Sequence, residues 1–168
     1  MNYPSFELLS TSIGQNTESS QLKRLMEQLN ISEKSLKKFP IDLPGQRLWA
    51  DMDKGIQLEL EDVSSLLHGD LHDDEGPWIL TDVTLWSEEE SKNTYKGPTP
   101  YDIQFSMTRE HVRTIMNTRG FGSPKVGGFS ENIDIWHSNE FNIFVDFSTR
   151  KQIIRCIVLS LPRPLQLE

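Results

Sequence analysis

The residue pattern changes twice from helical to strand spacing, and this order constrains the fold more than any other feature of the sequence. Apolar residues recur at helical spacing at Leu22, Leu25, Met26 and Leu29, and again at Val112, Ile115 and Met116. Each stretch is followed by runs in which apolar and polar residues alternate, as in "IQLELED" (56–62) and "WILTDVTLW" (78–86). This order predicts an α+β protein whose strands form antiparallel meanders.

The two halves of the chain match in the order and spacing of these patterns. Trp49 and Ile56 are seven residues apart, as are Trp136 and Ile143. We therefore predict a tandem repeat of helix followed by a three-stranded antiparallel meander. Trp49 and Trp136 are expected to hold equivalent positions in the core.

The domain organisation follows from this repeat. A chain of 168 residues has the length of one domain, and we predict a single domain whose first repeat spans residues 1–94 and whose second spans residues 95–168. Ile56 and Ile79, in the second and third strands of the first repeat, are 23 residues apart, whereas Ile143 and Ile153 of the second repeat are ten apart, so the first repeat carries an insertion between these strands. Such an insertion maps to a surface loop, often on the binding face.

Local signals predict one helix start and one central strand. Thr108 is a good N-cap, and Met107 and Val112 flank it as a hydrophobic staple. The run "IIRCIVLSL" (153–161) is apolar on both faces, which is typical of a strand in the middle of a sheet. In residues 78–86, strict alternation places Thr81 on the same face as the apolar residues that follow it.

The charge is concentrated in one segment. The net charge is −8, but residues 51–90 contain thirteen acids and one base, Lys54, and therefore carry −12. Such a field repels nucleic acid and anionic membrane and attracts a basic protein surface. The chain has no apolar run of membrane-spanning length, no signal-peptide pattern and a single cysteine, Cys156, so a cytoplasmic location is expected.

The candidate partner-binding residues lie in the insertion "LLHGDLHDDEGPW" (66–78) and in the segments on either side of it. Acidic side chains would steer and pair with a basic partner, and tryptophan is enriched at interface hot spots. The predicted set is Asp62, Asp70, Asp73, Asp74, Glu75, Trp78, Trp86, Glu88 and Glu89.

The same insertion offers possible metal ligands, and two other interpretations of it stay open: a metal site, or a solvated loop without a role. The possible ligands are His68, Asp70, His72, Asp73, Asp74 and Glu75. Gly69 disfavours the helix that would bring both histidines together, and no H-E-x-x-H, calcium loop or cysteine pair is present. No phosphate-binding or nucleophile motif is present either, so no metal, no cofactor and no catalysis are predicted.

Residues 95–116, "YKGPTPYDIQFSMTREHVRTIM", resemble a bacterial family of pyocin or polymorphic-toxin immunity proteins. The matching pieces are Tyr95, Gly97, Pro100, the run 103–105 and the "MT-x-x-x-V" that opens the helix. Each repeat is also similar to the helix-plus-meander unit of the β-lactamase-inhibitor-protein and outer-membrane-assembly lipoprotein folds. The chain departs from the family where "MNTRGFGSP" is longer than the usual L-G-x-P.

The resemblance implies a protein that binds a cognate bacterial toxin domain and neutralises it in the cytosol without performing a reaction. The charge pattern independently favours a partner with a basic surface over nucleic acid or membrane. An adaptor or chaperone for a secreted effector is the alternative, and a small metal-dependent hydrolase is the third possibility.

Overall fold

A computed structural model describes residues 2–38, 44–64, 74–150 and 153–163. Within those ranges the fold is α+β, with three α-helices and an eight-stranded antiparallel sheet. The helices are Phe6–Ser12 (α1), Ser20–Gln28 (α2) and Arg109–Thr118 (α3). The strands are Lys37–Lys38 (β1), Gln46–Asp51 (β2), Ile56–Asp62 (β3), Trp78–Trp86 (β4), Lys125–Gly127 (β5), Ile133–His137 (β6), Asn142–Phe147 (β7) and Ile154–Ser160 (β8).

Each helix begins at a hydroxyl side chain that accepts a hydrogen bond from the first turn. Ser5 caps α1, Ser19 caps α2, and Thr108 accepts from the His111 amide at 3.2 Å, which confirms the predicted start of α3. The longest described helix has ten residues, and none of the described helices combines the length and the apolar character needed to cross a bilayer.

The strands form one sheet in the order β1-β2-β3-β4-β8-β7-β6-β5. Neighbours in sequence pair within each half of the chain, and the two halves join where β4 pairs with β8. The prediction that the run 153–161 is a central strand is therefore confirmed. The sheet has two strands more than two three-stranded meanders would supply, because β1 and β5 add short outer strands.

A β-bulge in each half shifts the ladder by one residue. Glu59 pairs with Asp82 but Leu60 pairs with Leu80, so Thr81 is the extra residue in β4. Leu80, not Thr81, therefore shares the core face with the apolar residues that follow it, and the strict alternation predicted for this strand is wrong at this point. The second bulge lies opposite the Asp146–Phe147 step and makes Arg155 the extra residue in β8.

The two tryptophans do not occupy equivalent ladder positions. Ile143 pairs with Trp136, whereas the corresponding Ile56 pairs with Asp51. Trp49 precedes Asp51 by two residues and pairs with Leu58 instead. Trp136 is 2 % exposed and its indole N–H donates to the Gly122 carbonyl at 3.2 Å, but Trp49 is only partly buried. The predicted equivalence fails because equal spacing in sequence does not fix hairpin register.

The hydrophobic core lies between the helices and one face of the sheet. Helix residues such as Leu22, Leu25 and Val112 pack there against alternate strand residues such as Leu58 and Ile157, all nearly inaccessible to solvent. No described helix packs on the opposite face. The sheet therefore holds one set of side chains in the core and presents the other set on its far side.

Candidate partner-binding surface

Most of the acidic insertion lies outside the described residues. This applies to Asp70 and Asp73 of the predicted binding set and to His68 and His72 of the possible metal ligands. Among the residues that the structure describes, no group of three or more histidine, cysteine, aspartate or glutamate side chains could hold a metal ion.

Asp74 anchors the end of this insertion to the sheet. One carboxylate oxygen accepts from the Gly45 amide at 2.8 Å and from the Arg47 guanidinium at 2.6 Å, and the other lies 2.8 Å from the Lys38 ammonium. The hydrogen bond from Arg47, followed by that from Lys38, holds the pKa of Asp74 well below its usual range. The charge of Asp74 is thus compensated within the protein.

Asp62 and Trp78 are internal. Asp62 is 1 % exposed and accepts from the Asp74 amide at 2.7 Å and from the Ser64 hydroxyl at 2.8 Å. Trp78 is 6 % exposed, with the Arg47 guanidinium 4.1 Å from its ring centroid. The described contacts of these two residues and of Asp74 are therefore made within the protein.

The other predicted residues are separated along the length of β4. Glu75 is exposed before the strand begins, and Glu88 is exposed after it ends. Nine residues of strand put them roughly 30 Å apart. Glu89 is partly buried and accepts from the Ser148 hydroxyl at 2.8 Å, and Trp86 is partly exposed at the end of the strand. These residues therefore do not form one compact site.

The face of the sheet opposite the helices brings together residues of which only Trp86 belongs to the predicted binding set. Its apolar side chains are partly exposed and do not belong to the hydrophobic core. We call this surface the open face, and its main residues are Leu48, Gln57, Glu59, Glu61, Asp82, Trp86, Ile133, Ile135, Phe144 and Val158.

Three carboxylates meet on the β3–β4 half of the open face. Glu59 pairs directly with Asp82 across the ladder, and Glu61 is two residues further along β3. They line a cavity of about 160 Å³ together with Arg163, whose guanidinium donates to both oxygens of Glu61. Burial, and next the charges of Asp82 and Glu61, raise the pKa of Glu59. Arg163 and Lys37, whose strand partner Leu48 is itself paired with Glu59, supply two positive charges against these three carboxylates, so an excess of negative charge remains on this half.

The β6–β8 half of the open face is apolar. Phe144 pairs with Ile135 on one side and with Val158 on the other, and all three are partly exposed. The acid on this half, Asp146, is compensated because Arg155 donates to it at 2.6 and 3.1 Å. The open face is thus acidic on one half and apolar on the other.

An exposed aromatic residue extends the apolar half. Phe129 lies in the turn between β5 and β6 and is fully exposed. It lines a cavity of about 520 Å³ whose wall includes Ile133 of the open face. No sequence pattern singles out Phe129, because it follows a glycine-rich break without strand or helix periodicity.

The reactive groups of the described residues do not assemble into a nucleophilic site at this surface. Cys156 faces the open side but is 4 % exposed, and burial, followed by the charge of Asp146, raises the pKa of its thiol to about 12. The thiol is therefore protonated at neutral pH and a poor nucleophile. His111 and His137 are both exposed, in α3 and at the end of β6.

Comparison with known proteins adds no relative to this picture. Neither the protein-family models, nor the curated proteins, nor the solved structures gave a match to this chain.

Proposed function

We propose that this chain is an immunity protein that binds a bacterial toxin domain in the cytosol and blocks it without catalysing a reaction. The observation that carries the proposal is the cluster of Glu59, Glu61 and Asp82 on a sheet face that no described helix covers. Carboxylates held this close repel one another, and a cationic partner relieves that repulsion on binding.

The wider charge distribution supports a basic partner. The segment that supplies β3 and β4 carries −12, and its exposed acids include Glu75 and Glu88 at opposite ends of β4. A field of one sign over this part of the surface speeds encounter with a basic protein and disfavours nucleic acid. The likeness of residues 95–116 to toxin immunity proteins favours a toxin as that partner.

We also propose that the two halves of the chain are repeats of one helix-and-meander unit. The mirrored strand order around the β4–β8 pair supports this, because each half contributes its strands in the same sequence. The bulges support it too. When Ile56 is aligned with Ile143, the Glu59–Leu60 step falls on the Asp146–Phe147 step, where the second bulge lies.

The function can be tested by growth rescue in bacteria. A candidate toxin domain, chosen from the genes that adjoin this one, would be expressed with and without this chain, and the purified pair would be titrated against the toxic activity of that domain. Immunity predicts restored growth and complete inhibition at about one equivalent. A complex that forms without restoring growth would favour an adaptor or chaperone, and no complex and no rescue would refute the proposal.

Purification with a chelator distinguishes a metal-dependent hydrolase from an immunity protein. A metal-dependent hydrolase would protect substoichiometrically and lose its effect when purified with chelator, whereas a binding protein would need one equivalent and would be unaffected. The contribution of the insertion is tested with a variant in which Asp70, Asp73 and Glu75 are replaced by the corresponding amides. Asp74 is left unchanged because it anchors that segment.

A further inference from the structure

The open face forms a continuous surface because the ladder aligns its residues in rows. One row runs from Ala50 through Gln57, Thr84, Val158, Phe144 and Ile135 to Lys125, one residue from each strand from β2 to β5. Neighbouring strands are about 4.8 Å apart, so this row is roughly 29 Å long. With strands of about six residues, the face covers on the order of 600 Å², close to the share of one partner in a standard interface.

The acidic and apolar halves lie within a single footprint of that size. Glu59 is in β3 and Phe144 is in β7, three strand spacings away, or roughly 14 Å across the sheet. A partner that covers one half therefore also covers the other.

We propose that the open face is the docking surface of this protein, and that its occupant is a protein surface on which lysine or arginine side chains lie beside an apolar patch. This inference rests on the proposed function for the statement that the occupant belongs to a toxin. The basic side chains lie over Glu59, Glu61 and Asp82, and the apolar patch lies over Ile135, Phe144 and Val158.

Charge complementarity fixes the orientation. The acidic half holds three carboxylates and pairs with the single guanidinium of Arg163, whose side chain is 53 % exposed. The corresponding acid of the apolar half, Asp146, is already compensated by Arg155. A cation is therefore favoured over β3 and β4, and little is gained by placing one over β7.

The apolar half of the open face favours complex formation through the hydrophobic effect. Removing the partly exposed side chains of Ile135, Phe144 and Val158 from water stabilises a complex roughly in proportion to the area covered. Phe129, fully exposed beside this half, is an aromatic residue of the kind that dominates interface energies.

The test uses the full chain and does not require the toxin. A phage-displayed library of random 16-residue peptides is selected on the immobilised protein, and peptides that also bind the bare support are discarded. The selected peptides are expected to combine lysine or arginine with aromatic or aliphatic residues. Hydrogen exchange of the full chain with a bound peptide is expected to show protection in β3, β4, β7 and β8.

Two variants with matched controls separate the two halves of the face. Glu59→Gln with Asp82→Asn is expected to weaken binding about ten-fold or more at low salt and to flatten its salt dependence. Glu18→Gln with Glu27→Gln makes the same change in charge on exposed residues of the helical side and is expected to leave binding unchanged. Val158→Thr with Phe144→Thr keeps good strand-forming residues and is expected to speed dissociation without altering the salt dependence.

Several results would overturn the inference. These are a selection that enriches no peptide, enriched peptides without basic residues, equal loss of binding in the helical-side control, or protection confined to the helices. If the docking surface is wrong, growth rescue can still succeed. If growth rescue fails while the peptides bind the open face as expected, the docking surface stands and the toxin is refuted as its occupant. The two failures are therefore distinguishable.

Discussion

Replacing Asp134 with asparagine is expected to destabilise the protein by about 3 kcal/mol. Asp134 lies in β6 on the core face and is inaccessible to solvent. It accepts from Arg109 at 3.0 and 2.5 Å and from Arg113 at 2.7 and 2.8 Å, so two side chains of α3 are tied to one carboxylate of the sheet. No other charged group of β6 could replace it at that position.

The expected loss of stability follows from the burial of Asp134 and the partial exposure of its two arginine partners. Removing one partner of a buried ion pair costs about 3–5 kcal/mol. The lower end applies here, because the side chains of Arg109 and Arg113 are 31 % and 41 % exposed and can regain water, and because asparagine keeps one oxygen as an acceptor. For a protein of this size, such a loss lowers the melting temperature by about 6–12 °C.

The effect should depend on pH in a defined direction. Burial alone would raise the pKa of Asp134, but the hydrogen bonds from Arg113 and Arg109 outweigh it, and the pKa in the folded state is lowered. Stability from such a group is complete above the unfolded-state pKa and is lost as the pH falls through the folded-state pKa. The difference between parent and variant should therefore be full at neutral pH and shrink below about pH 4.

Thermal and urea denaturation of parent and Asp134→Asn across that pH range measures both quantities. Asp53→Asn is the control, because Asp53 is 70 % exposed and pairs at 3.2 Å with an equally exposed Lys92. It should change stability by less than about 1 kcal/mol. An Asp134→Asn midpoint within 2 °C of the parent at neutral pH, or a difference that stays constant on acidification, would refute the reasoning.

Three smaller predictions concern a cap, the anchor of the insertion and the acidic half of the open face. Thr108→Ala should cost about 1 kcal/mol in urea denaturation through loss of the cap on the His111 amide, and Thr108→Ser should restore most of it; an unchanged midpoint would mean that the cap contributes nothing. Asp74→Asn should cost about 2 kcal/mol at neutral pH, and because the folded-state pKa of Asp74 is lowered, this cost should begin to shrink below about pH 4 and should fall further as the solution is made more acidic; a cost that stays constant on acidification would contradict this. Glu59→Gln should raise the melting temperature at neutral pH and change it little in acid, because a raised folded-state pKa makes the ionised form unfavourable; a lower midpoint at neutral pH would count against the proposed repulsion.

The strands were predictable wherever their pattern reflects one face in the core. The runs 56–62 and 78–86 coincide with β3 and β4, because strand side chains alternate with a period of two. The bulge at Thr81 was not predictable, since an extra residue is defined only against the partner strand. The strands β1 and β5 have two and three residues, too few to display a period.

The sequence predicts that the candidate surface is acidic, but it does not predict which residues come together there. Acids are concentrated in the segment that forms β3 and β4, as the composition indicates. The contact between Asp74 and Arg47 is not visible in the sequence, because 27 residues separate them. Glu59 and Asp82 become neighbours only when β3 pairs with β4. Contacts of this kind depend on tertiary pairing and leave no local trace in the sequence.

The placement of long and short strands has a consequence for aggregation. The nine residues of β4 and the seven of β8 are enclosed in the middle of the sheet, while the outer strands are short and carry Lys37, Lys38 and Lys125. Short edge strands that carry lysine resist pairing with the strands of other molecules. A cut in the segment between Ser87 and Thr99 followed by separation of the halves would turn β4 and β8 into unprotected edge strands. Fragments of this protein should therefore be far more prone to form intermolecular sheets than the intact chain.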